Sequence, residues 1–199
     1  QPGAYDDLGR MAAFLDAIRW GAVASADITT LQSPFRSGVR IEDYQLAPVV
    51  RALRSPRTNL LVADDVGLGK TIEAGLVAQE LLMRQRIRRI LVVVPADLCT
   101  KWKTEFAEKF GLDFTIVDAN SVKALRREHG VGANPWRVWP LTIVSLQWLR
   151  AERAQRALEE VIGDEGQYPR FFDLLIVDEA HHLAPSGSGK YAIDTQQTK

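Results

Sequence analysis

Two short runs, far apart along the chain, hold the residue types best suited to chemistry. Residues 64–71 read Asp-Asp-Val-Gly-Leu-Gly-Lys-Thr and lie between an apolar run and a helical pattern. Residues 178–181 read Asp-Glu-Ala-His and directly follow the apolar run Leu174–Val177. A glycine turn that ends in lysine suits phosphate groups, and two carboxylates after a buried strand suit a metal ion. Together the two runs predict a site for a nucleoside triphosphate, a magnesium ion and a water to be activated.

The glycine turn has the features that a phosphate group requires. Glycine permits backbone conformations that point several amide groups at one anion, and the following helix adds the positive end of its dipole. Lys70 would reach the outer phosphates, and Thr71 would hold Mg²⁺ through its hydroxyl. The usual pattern begins with glycine where this chain has Asp64, so the match is incomplete. A plain glycine-rich turn before a helix is therefore the alternative.

The acidic pair would complete the metal site. Asp178 would orient Mg²⁺ through water, because this ion keeps part of its hydration shell. Glu179 would polarise the attacking water as the catalytic carboxylate. Acidic pairs are also common at solvated corners, but the preceding Leu-Leu-Ile-Val run favours a position at the end of a buried strand.

Short apolar strands that alternate with amphipathic helices must position these residues. The strands are predicted over residues 60–63, 90–94, 114–117, 141–144 and 174–177. Uniformly apolar strands indicate a parallel sheet with helices on both faces. Ligands of such sheets bind at the carboxyl ends of the strands, where the glycine turn, Pro95, Ser145 and Asp178 lie. The predicted fold class is therefore α/β.

Helices are predicted between the strands and before the first of them. They span residues 8–22, 42–53, 70–85, a segment after Pro95 that reaches Phe110, 122–128, and a segment that Ser145 caps. Their apolar residues recur at spacings of three and four, which places one face of each helix inward.

Three segments are predicted as loops from their composition. They are residues 33–39, residues 130–140 and residues 185–190. The last contains Gly-Ser-Gly-Lys at 187–190, which is superficially similar to the glycine turn. No strand precedes it, and Tyr191 stands where serine or threonine is needed, so we expect Lys190 to lie in a surface loop.

The bulk composition limits the class of protein. The chain has 199 residues, of which 46% are hydrophobic and 25% are charged, as in an ordinary globular protein. Its formal net charge is zero, so contacts with nucleic acid must come from local patches. The single cysteine, Cys99, excludes an internal disulfide and fits a reducing compartment. No apolar run approaches the ~20 residues that span a bilayer, so we expect a cytoplasmic protein with no membrane partner.

Two further patterns are open to a functional or a structural interpretation. Arginines cluster within 84–89 and at 126–127, where they could contact phosphate backbone, although solvated helix ends are favoured. Trp102, Phe106 and Phe110 recur every four residues, which favours a core stripe over a base-stacking platform.

In motif order, residues 41–182 resemble the first RecA-like lobe of the Swi/Snf-type ATPases of helicase superfamily two. Residues 41–45, Ile-Glu-Asp-Tyr-Gln, are similar to the Q motif. Residues 64–71 are similar to motif I, usually Asp-Glu-Met-Gly-Leu-Gly-Lys-Thr, in which an aspartate at position 64 is normal. The nucleotide-binding residues that this resemblance implies are Gln45 (for adenine), Asp65, Val66, Gly67, Leu68, Gly69, Lys70 and Thr71.

Three later stretches carry the same resemblance. Residues 91–95, with Leu98 and Trp102 following, are similar to motif Ia, which lies along a DNA strand. Residues 143–145 resemble a motif whose hydroxyl contacts the DNA backbone. The implied DNA-binding residues are Pro95 and Ser145. Residues 178–181 match motif II, whose histidine helps to couple ATP turnover to the other lobe. The resemblance thus implies catalytic roles for Lys70, Asp178, Glu179 and His181, and a Mg²⁺ site at Thr71 and Asp178.

The wider runs 63–76 and 14–20 look bacterial. They resemble RapA-like ATPases and, more closely, the helicase-like ATPase of the DISARM phage-defence system. The implied organisation is a helical amino-terminal extension and loop over 1–40, followed by a RecA-like P-loop domain over 41–199. Neither motif III nor the second lobe with its arginine fingers is found, so we expect this stretch alone to bind nucleotide weakly and hydrolyse it poorly.

The sequence therefore predicts the ATP-binding lobe of a DNA-dependent ATPase that moves along double-stranded DNA or remodels protein–DNA complexes. The expected cofactors are ATP and Mg²⁺. The expected partners are double-stranded DNA, the second RecA-like lobe of the same polypeptide, and other subunits of a defence or remodelling complex. One alternative is a true helicase or a restriction-type translocase, and another is a non-motor module that uses ATP as a switch or a scaffold.

Overall fold

The computed structural model describes residues 30–55, 59–63, 69–162 and 170–180. The predicted helix over 8–22 and the predicted loop over 185–190 lie outside these ranges. The described residues form two compact units. The first holds residues 30–36 and 41–86, and the second holds residues 37–40 and 87–180.

The first unit is built from helices. They are α1 (Ser33–Arg36), a 3-10 helix (Asp43–Leu46), α2 (Ala47–Arg54) and α3 (Lys70–Met83). The predicted helix over 42–53 is thus a 3-10 helix followed by α2. Pro48 lies in the first turn of α2, where its missing N–H costs no helical hydrogen bond. The predicted helix over 70–85 is confirmed as α3.

A buried carboxylate, Glu80, joins α3 to the start of α1 and also forms an ion pair near the end of α3. Arg84 Nε donates to Glu80 Oε1 at 2.7 Å, and both side chains are buried. The backbone N–H groups of Ser33 and Gln32 donate to Glu80 Oε2 at 2.6 and 2.9 Å. The prediction of a loop over 33–39 is therefore wrong at its start, because this buried carboxylate anchors the backbone where α1 begins.

The predicted strand over 60–63 is also wrong, since residues 59–63 adopt no regular structure. Leu61 is 85% exposed. A strand needs a neighbour for its backbone N–H and C=O groups, and a short apolar run does not provide one by itself. Its apolar composition alone did not determine its structure.

The second unit is a parallel sheet against which helices pack. Its strands are β1 (Ile90–Val94), β2 (Thr115–Val117), β3 (Leu141–Ser145) and β4 (Leu174–Val177). They lie in the order β2-β3-β1-β4, and every pair is parallel. All residues of β1 are buried, as expected for a central strand of a covered sheet. The four strands match the predicted ones, and this sheet confirms the α/β fold class.

The helices of the second unit follow its strands. They are α4 (Cys99–Phe110, after a 3-10 helix at Ala96–Leu98), α5 (Ala119–His129), α6 (Pro135–Val138), α7 (Leu146–Leu149) and α8 (Glu152–Ile162). Helices after β1, β2 and β3 were predicted, and Ser145 caps α7 as expected, because its Oγ accepts the N–H of Trp148 at 3.0 Å. No helix of the described residues is long and apolar enough to cross a bilayer.

Helix α6 corrects the prediction of a loop over 130–140. Asn134 Oδ1 accepts the N–H of Trp136 at 3.0 Å, and Pro135 occupies the first turn. Trp136 is fully buried and packs edge-on against Trp148 and Phe172. Glycine and proline dominate the composition of this segment, but the cap and the burial of Trp136 fix a helical turn within it.

Candidate functional site

The start of α3 carries the end of the predicted phosphate turn. Gly69 has φ +93°, a left-handed conformation that glycine adopts without strain, and it caps α3 at its amino end. Its carbonyl accepts the N–H groups of Ile72 and Glu73 at 2.7 and 3.1 Å. Lys70 and Thr71 therefore occupy the first helical turn, where the positive end of the helix dipole favours an anion.

Residues 64–68 lie outside the described ranges, so the predicted contacts of Asp65, Val66, Gly67 and Leu68 stay predictions. The same holds for His181, the last residue of the acidic run.

Gln45, the predicted adenine-binding residue, lies beside Gly69. A Cβ atom built on Gly69 would be 2.7 Å from Gln45 Nε2, so the two residues are in close contact. The side chain of Gln45 is buried, and its Oε1 accepts the N–H of Glu42 at 3.1 Å. The 3-10 helix thus holds the glutamine amide against the backbone where α3 begins.

The acidic pair directly follows β4, as predicted. The N–H of Asp178 donates to the carbonyl of Val93 at 2.9 Å, which extends the pairing between β4 and β1. Asp178 Oδ1 accepts the N–H of Glu179 at 2.9 Å, and Asp178 Oδ2 accepts Nε1 of Trp102 at 3.0 Å. Both carboxylate oxygens of this half-buried residue are therefore held by N–H donors.

Glu179 adopts an unusual backbone conformation. Its φ is +52°, in the left-handed region that few residues other than glycine occupy. Its side chain is exposed. Strained backbone of this kind is concentrated at functional sites, where surrounding contacts maintain it.

Pro95, Ser145 and Asp178 lie at the same edge of the sheet. Val94 pairs with Ser145, and Val93 pairs with Val177, so the three residues follow or end three adjacent strands. The prediction that this carboxyl edge gathers them is confirmed by the register. Their roles in binding DNA or Mg²⁺ stay predictions.

Lys70 and Thr71 belong to the first unit, whereas Asp178 and Glu179 belong to the second. Their convergence on one nucleotide stays a prediction. Among the described residues, no cluster of three His, Cys, Asp or Glu side chains could hold a metal ion. Mg²⁺ keeps several waters and takes hydroxyl, carboxylate and phosphate oxygens, so Thr71 and Asp178 are donors of the right chemical kind, and their shared site stays a prediction.

The aromatic stripe of α4 is core, as favoured from its spacing. Trp102, Phe106 and Phe110 are all buried, and Phe106 contacts both of the others edge-on. The hydrogen bond from Trp102 to Asp178 was missed by the sequence reasoning. A signal existed, because a buried indole N–H usually finds an acceptor, but spacing does not say which acceptor.

The arginine cluster over 84–89 is solvated only in part. Arg84 is buried in its ion pair, and Arg86 Nη1 donates to the carbonyl of Leu53 at 3.0 Å. Arg89 Nη1 donates to the carbonyl of Trp136 at 2.7 Å, and its guanidinium lies over a phenylalanine ring. The favoured interpretation of solvated helix ends is therefore wrong for Arg84 and Arg89, whereas Arg86 and Arg88 are exposed.

Comparison with known proteins supplies the family. A family model described as the SNF2-related domain matches residues 43–196. The chain is 38% identical over 149 residues to the RNA polymerase-associated protein RapA of Histophilus somni (strain 129Pt), a match covering 74% of this chain and 14% of the relative. It is 37% identical over 163 residues to RapA of Actinobacillus pleuropneumoniae serotype 5b (strain L20), covering 77% and 16%. The chain thus spans about a sixth of the length of these curated relatives.

A solved structure shows the same fold. It is the Sulfolobus solfataricus SWI2/SNF2 ATPase core in complex with dsDNA, which matches with a TM-score of 0.55 at 17% sequence identity. The match covers 77% of this chain and 29% of that chain. At this identity the likeness concerns the fold, whereas the family model matches most of the sequence. The chain therefore belongs to the SNF2-related domain family and has the RecA-like fold of a Swi/Snf-type superfamily-two ATPase lobe.

Proposed function

We propose that the chain is the ATP-binding lobe of a DNA-dependent ATPase that moves along double-stranded DNA or remodels protein–DNA complexes. The observation that carries this proposal is that a member of the SNF2-related family has both a predicted phosphate-binding helix start and an acidic pair after a strand. Gly69, Lys70 and Thr71 open α3, and an acidic pair directly follows β4. We assign residues 41–199 to the first RecA-like lobe and residues 1–40 to an amino-terminal extension.

The proposed division of labour follows from the chemistry of each group. The positive end of α3 and the Lys70 ammonium bind the outer phosphates, and Gln45 recognises adenine from beside the turn. The Thr71 hydroxyl and the Asp178 carboxylate hold Mg²⁺, which, when bound, neutralises charge on the phosphate oxygens. Glu179 accepts a hydrogen bond from the attacking water and orients it towards the terminal phosphate. His181 couples this turnover to the second lobe.

Pro95 and Ser145 are proposed to contact the DNA backbone. They lie at the ends of adjacent strands, on the edge of the sheet that also carries Asp178. The chain has no net charge, so it gains no whole-molecule attraction to DNA. Contacts through hydroxyl and backbone groups position a duplex without reading its sequence, which suits a protein that must move along DNA.

The names of the relatives support a setting in bacterial transcription. The two RapA relatives are called RNA polymerase-associated, and the solved structure contains dsDNA. We place the intact protein in the bacterial cytoplasm, with DNA, a second RecA-like lobe and other subunits of a remodelling complex as its partners. The phage-defence setting stays a prediction from the sequence resemblance.

The test is the ATPase rate of the full-length protein with and without duplex DNA. A DNA-dependent motor hydrolyses ATP faster when duplex DNA is present, whereas an ATP-driven switch or scaffold responds to a protein partner instead. Equal rates with and without DNA contradict the proposal. Strand displacement from a forked duplex, measured in parallel, identifies a true helicase and contradicts movement along double-stranded DNA that stays paired.

A further inference from the structure

The hydrogen bond between Trp102 and Asp178 joins two parts of the second unit that are distant in sequence. Trp102 Nε1 donates to Asp178 Oδ2 at 3.0 Å, and 76 positions separate the residues. Trp102 lies on α4, the helix that follows β1, while Asp178 follows the neighbouring strand β4. The donor is 5% exposed, so little water competes for it.

We propose that Trp102 is a positioning residue for the Asp178 carboxylate, which fixes the plane in which that group presents its free lone pairs to the hydrated Mg²⁺. This inference rests on the proposed function. The N–H of Glu179 holds Oδ1 and the indole holds Oδ2, so rotation of the carboxylate breaks at least one bond. Each oxygen keeps a second lone pair for a metal-bound water.

The surroundings of the indole make it a rigid donor. Its ring contacts Phe106 edge-on with centroids 5.2 Å apart, and Phe106 in turn contacts Phe110 and Phe114. Moving the indole away from Asp178 would disturb this cluster. A donor held by close packing orients its acceptor better than an exposed side chain does, because fewer rotamers compete.

Close packing alone does not require that a buried indole N–H have a hydrogen-bond acceptor. Trp136, in the same unit, is fully buried, yet its Nε1 has no hydrogen-bond partner within the described ranges. A buried indole in this protein can therefore serve as an apolar side chain. Trp136 provides a matched control, since its replacement by phenylalanine removes a buried N–H that contacts no carboxylate.

The first experiment compares Trp102→Phe with Trp136→Phe in the full-length protein. Phenylalanine retains an aromatic ring and deletes the N–H. Loss of a group that orients a metal ligand typically costs roughly 10- to 100-fold in metal affinity, so we expect Trp102→Phe to need at least ~10-fold more Mg²⁺ for half-maximal ATP hydrolysis. ATP binding measured without Mg²⁺ should be unchanged, and Trp136→Phe should keep the Mg²⁺ dependence of the parent.

A second measurement does not depend on activity or on the folding of Trp102→Phe. The protein is labelled with 5-fluorotryptophan, and ¹⁹F NMR spectra are compared between the parent and Asp178→Ala. We expect the resonance of Trp102 to shift, because its indole loses a charged acceptor, while that of Trp136 stays in place. An unmoved Trp102 resonance overturns the proposal, as does an equal change in Mg²⁺ dependence in both Trp→Phe variants.

Failure of this inference is distinguishable from failure of the proposed function. If Lys70→Ala abolishes ATP binding and Trp102→Phe leaves the Mg²⁺ dependence unchanged, only the role of Trp102 is wrong. If Lys70→Ala binds ATP normally, the nucleotide site itself is wrong, whatever Trp102 does.

Discussion

At the scale of single residues, Lys70 and Glu179 have separable roles in the proposed site. Lys70 lies in the first turn of α3 and would contact phosphate in every state of the nucleotide. Glu179 lies beyond β4 and would act on the water during hydrolysis only. Binding and turnover should therefore respond differently to the two side chains.

Replacing Lys70 by alanine should abolish measurable ATP binding, a loss of roughly 100-fold or more, because a charge-assisted contact to phosphate disappears. Titration of the full-length protein with a fluorescent ATP analogue measures this loss. The matched control is Lys190→Ala, whose glycine-rich surroundings look similar but are followed by Tyr191 where a phosphate turn needs serine or threonine. Normal ATP binding by Lys70→Ala would show that the glycine turn is not a phosphate site.

Replacing Glu179 by glutamine should leave ATP binding intact and slow hydrolysis by roughly 100-fold or more, since the amide cannot act as a general base. Single-turnover hydrolysis in the presence of duplex DNA measures the chemical step. Rapid hydrolysis by Glu179→Gln would assign the catalytic carboxylate elsewhere.

Replacement of Gly69 tests its close contact with Gln45. Gly69→Ala adds a Cβ atom 2.7 Å from Gln45 Nε2 at a φ of +93°, so it should destabilise the fold and also weaken ATP binding. Gly111→Ala is the control, because its φ is +64° but a Cβ atom there meets nothing within 4 Å. Strain alone should cost about 1–2 kcal/mol in either variant by urea unfolding. Equal ATP affinity in the two variants would contradict the proposed role of the contact.

At the scale of elements, apolar runs were sufficient to predict β1, β2, β3 and β4, because strands buried on both faces need uniformly apolar residues. Helices α1 and α6 could not be predicted this way. Each depends on a contact with a distant residue: Glu80 for α1, and the packing of Trp136 on Phe172 for α6. Residues 60–63 are the converse case, because this apolar run adopts no regular structure.

The buried pair of Glu80 and Arg84 should make stability depend on pH. Burial alone would raise the pKa of Glu80, but hydrogen bonds from the Ser33 backbone, Arg84 and the Gln32 backbone outweigh it, so the pKa lies below its ordinary value of 4.5. The stabilisation is present above the unfolded-state pKa and is lost as pH falls through the lower folded-state pKa. Glu80→Gln should therefore be clearly destabilised at neutral pH and approach the parent in acid.

Chemical unfolding of both proteins between neutral pH and about pH 3 measures this convergence. The control is Glu152→Gln, which breaks an exposed ion pair with Arg156 on α8 and should change stability little at any pH. A difference between Glu80→Gln and the parent that stays constant across the range would contradict the assignment.

At the scale of the whole molecule, motif order predicted the RecA-like lobe, and the family comparison confirms it. Within the second unit, the register of β1, β3 and β4 shows that Pro95, Ser145 and Asp178 share one edge. The bond from Trp102 to Asp178 could not be predicted, since it depends on how α4 packs beside β4. The placement of Lys70 relative to Asp178 likewise depends on how two units dock, which no local pattern specifies.

The most direct test of the central claim is a crystal structure of the full-length protein with Mg²⁺ and a non-hydrolysable ATP analogue. We predict that the Thr71 hydroxyl lies about 2.1 Å from the metal, with Asp178 one water away and Lys70 on the outer phosphates. An analogue bound far from Lys70, or a metal site that excludes Asp178, would contradict the account.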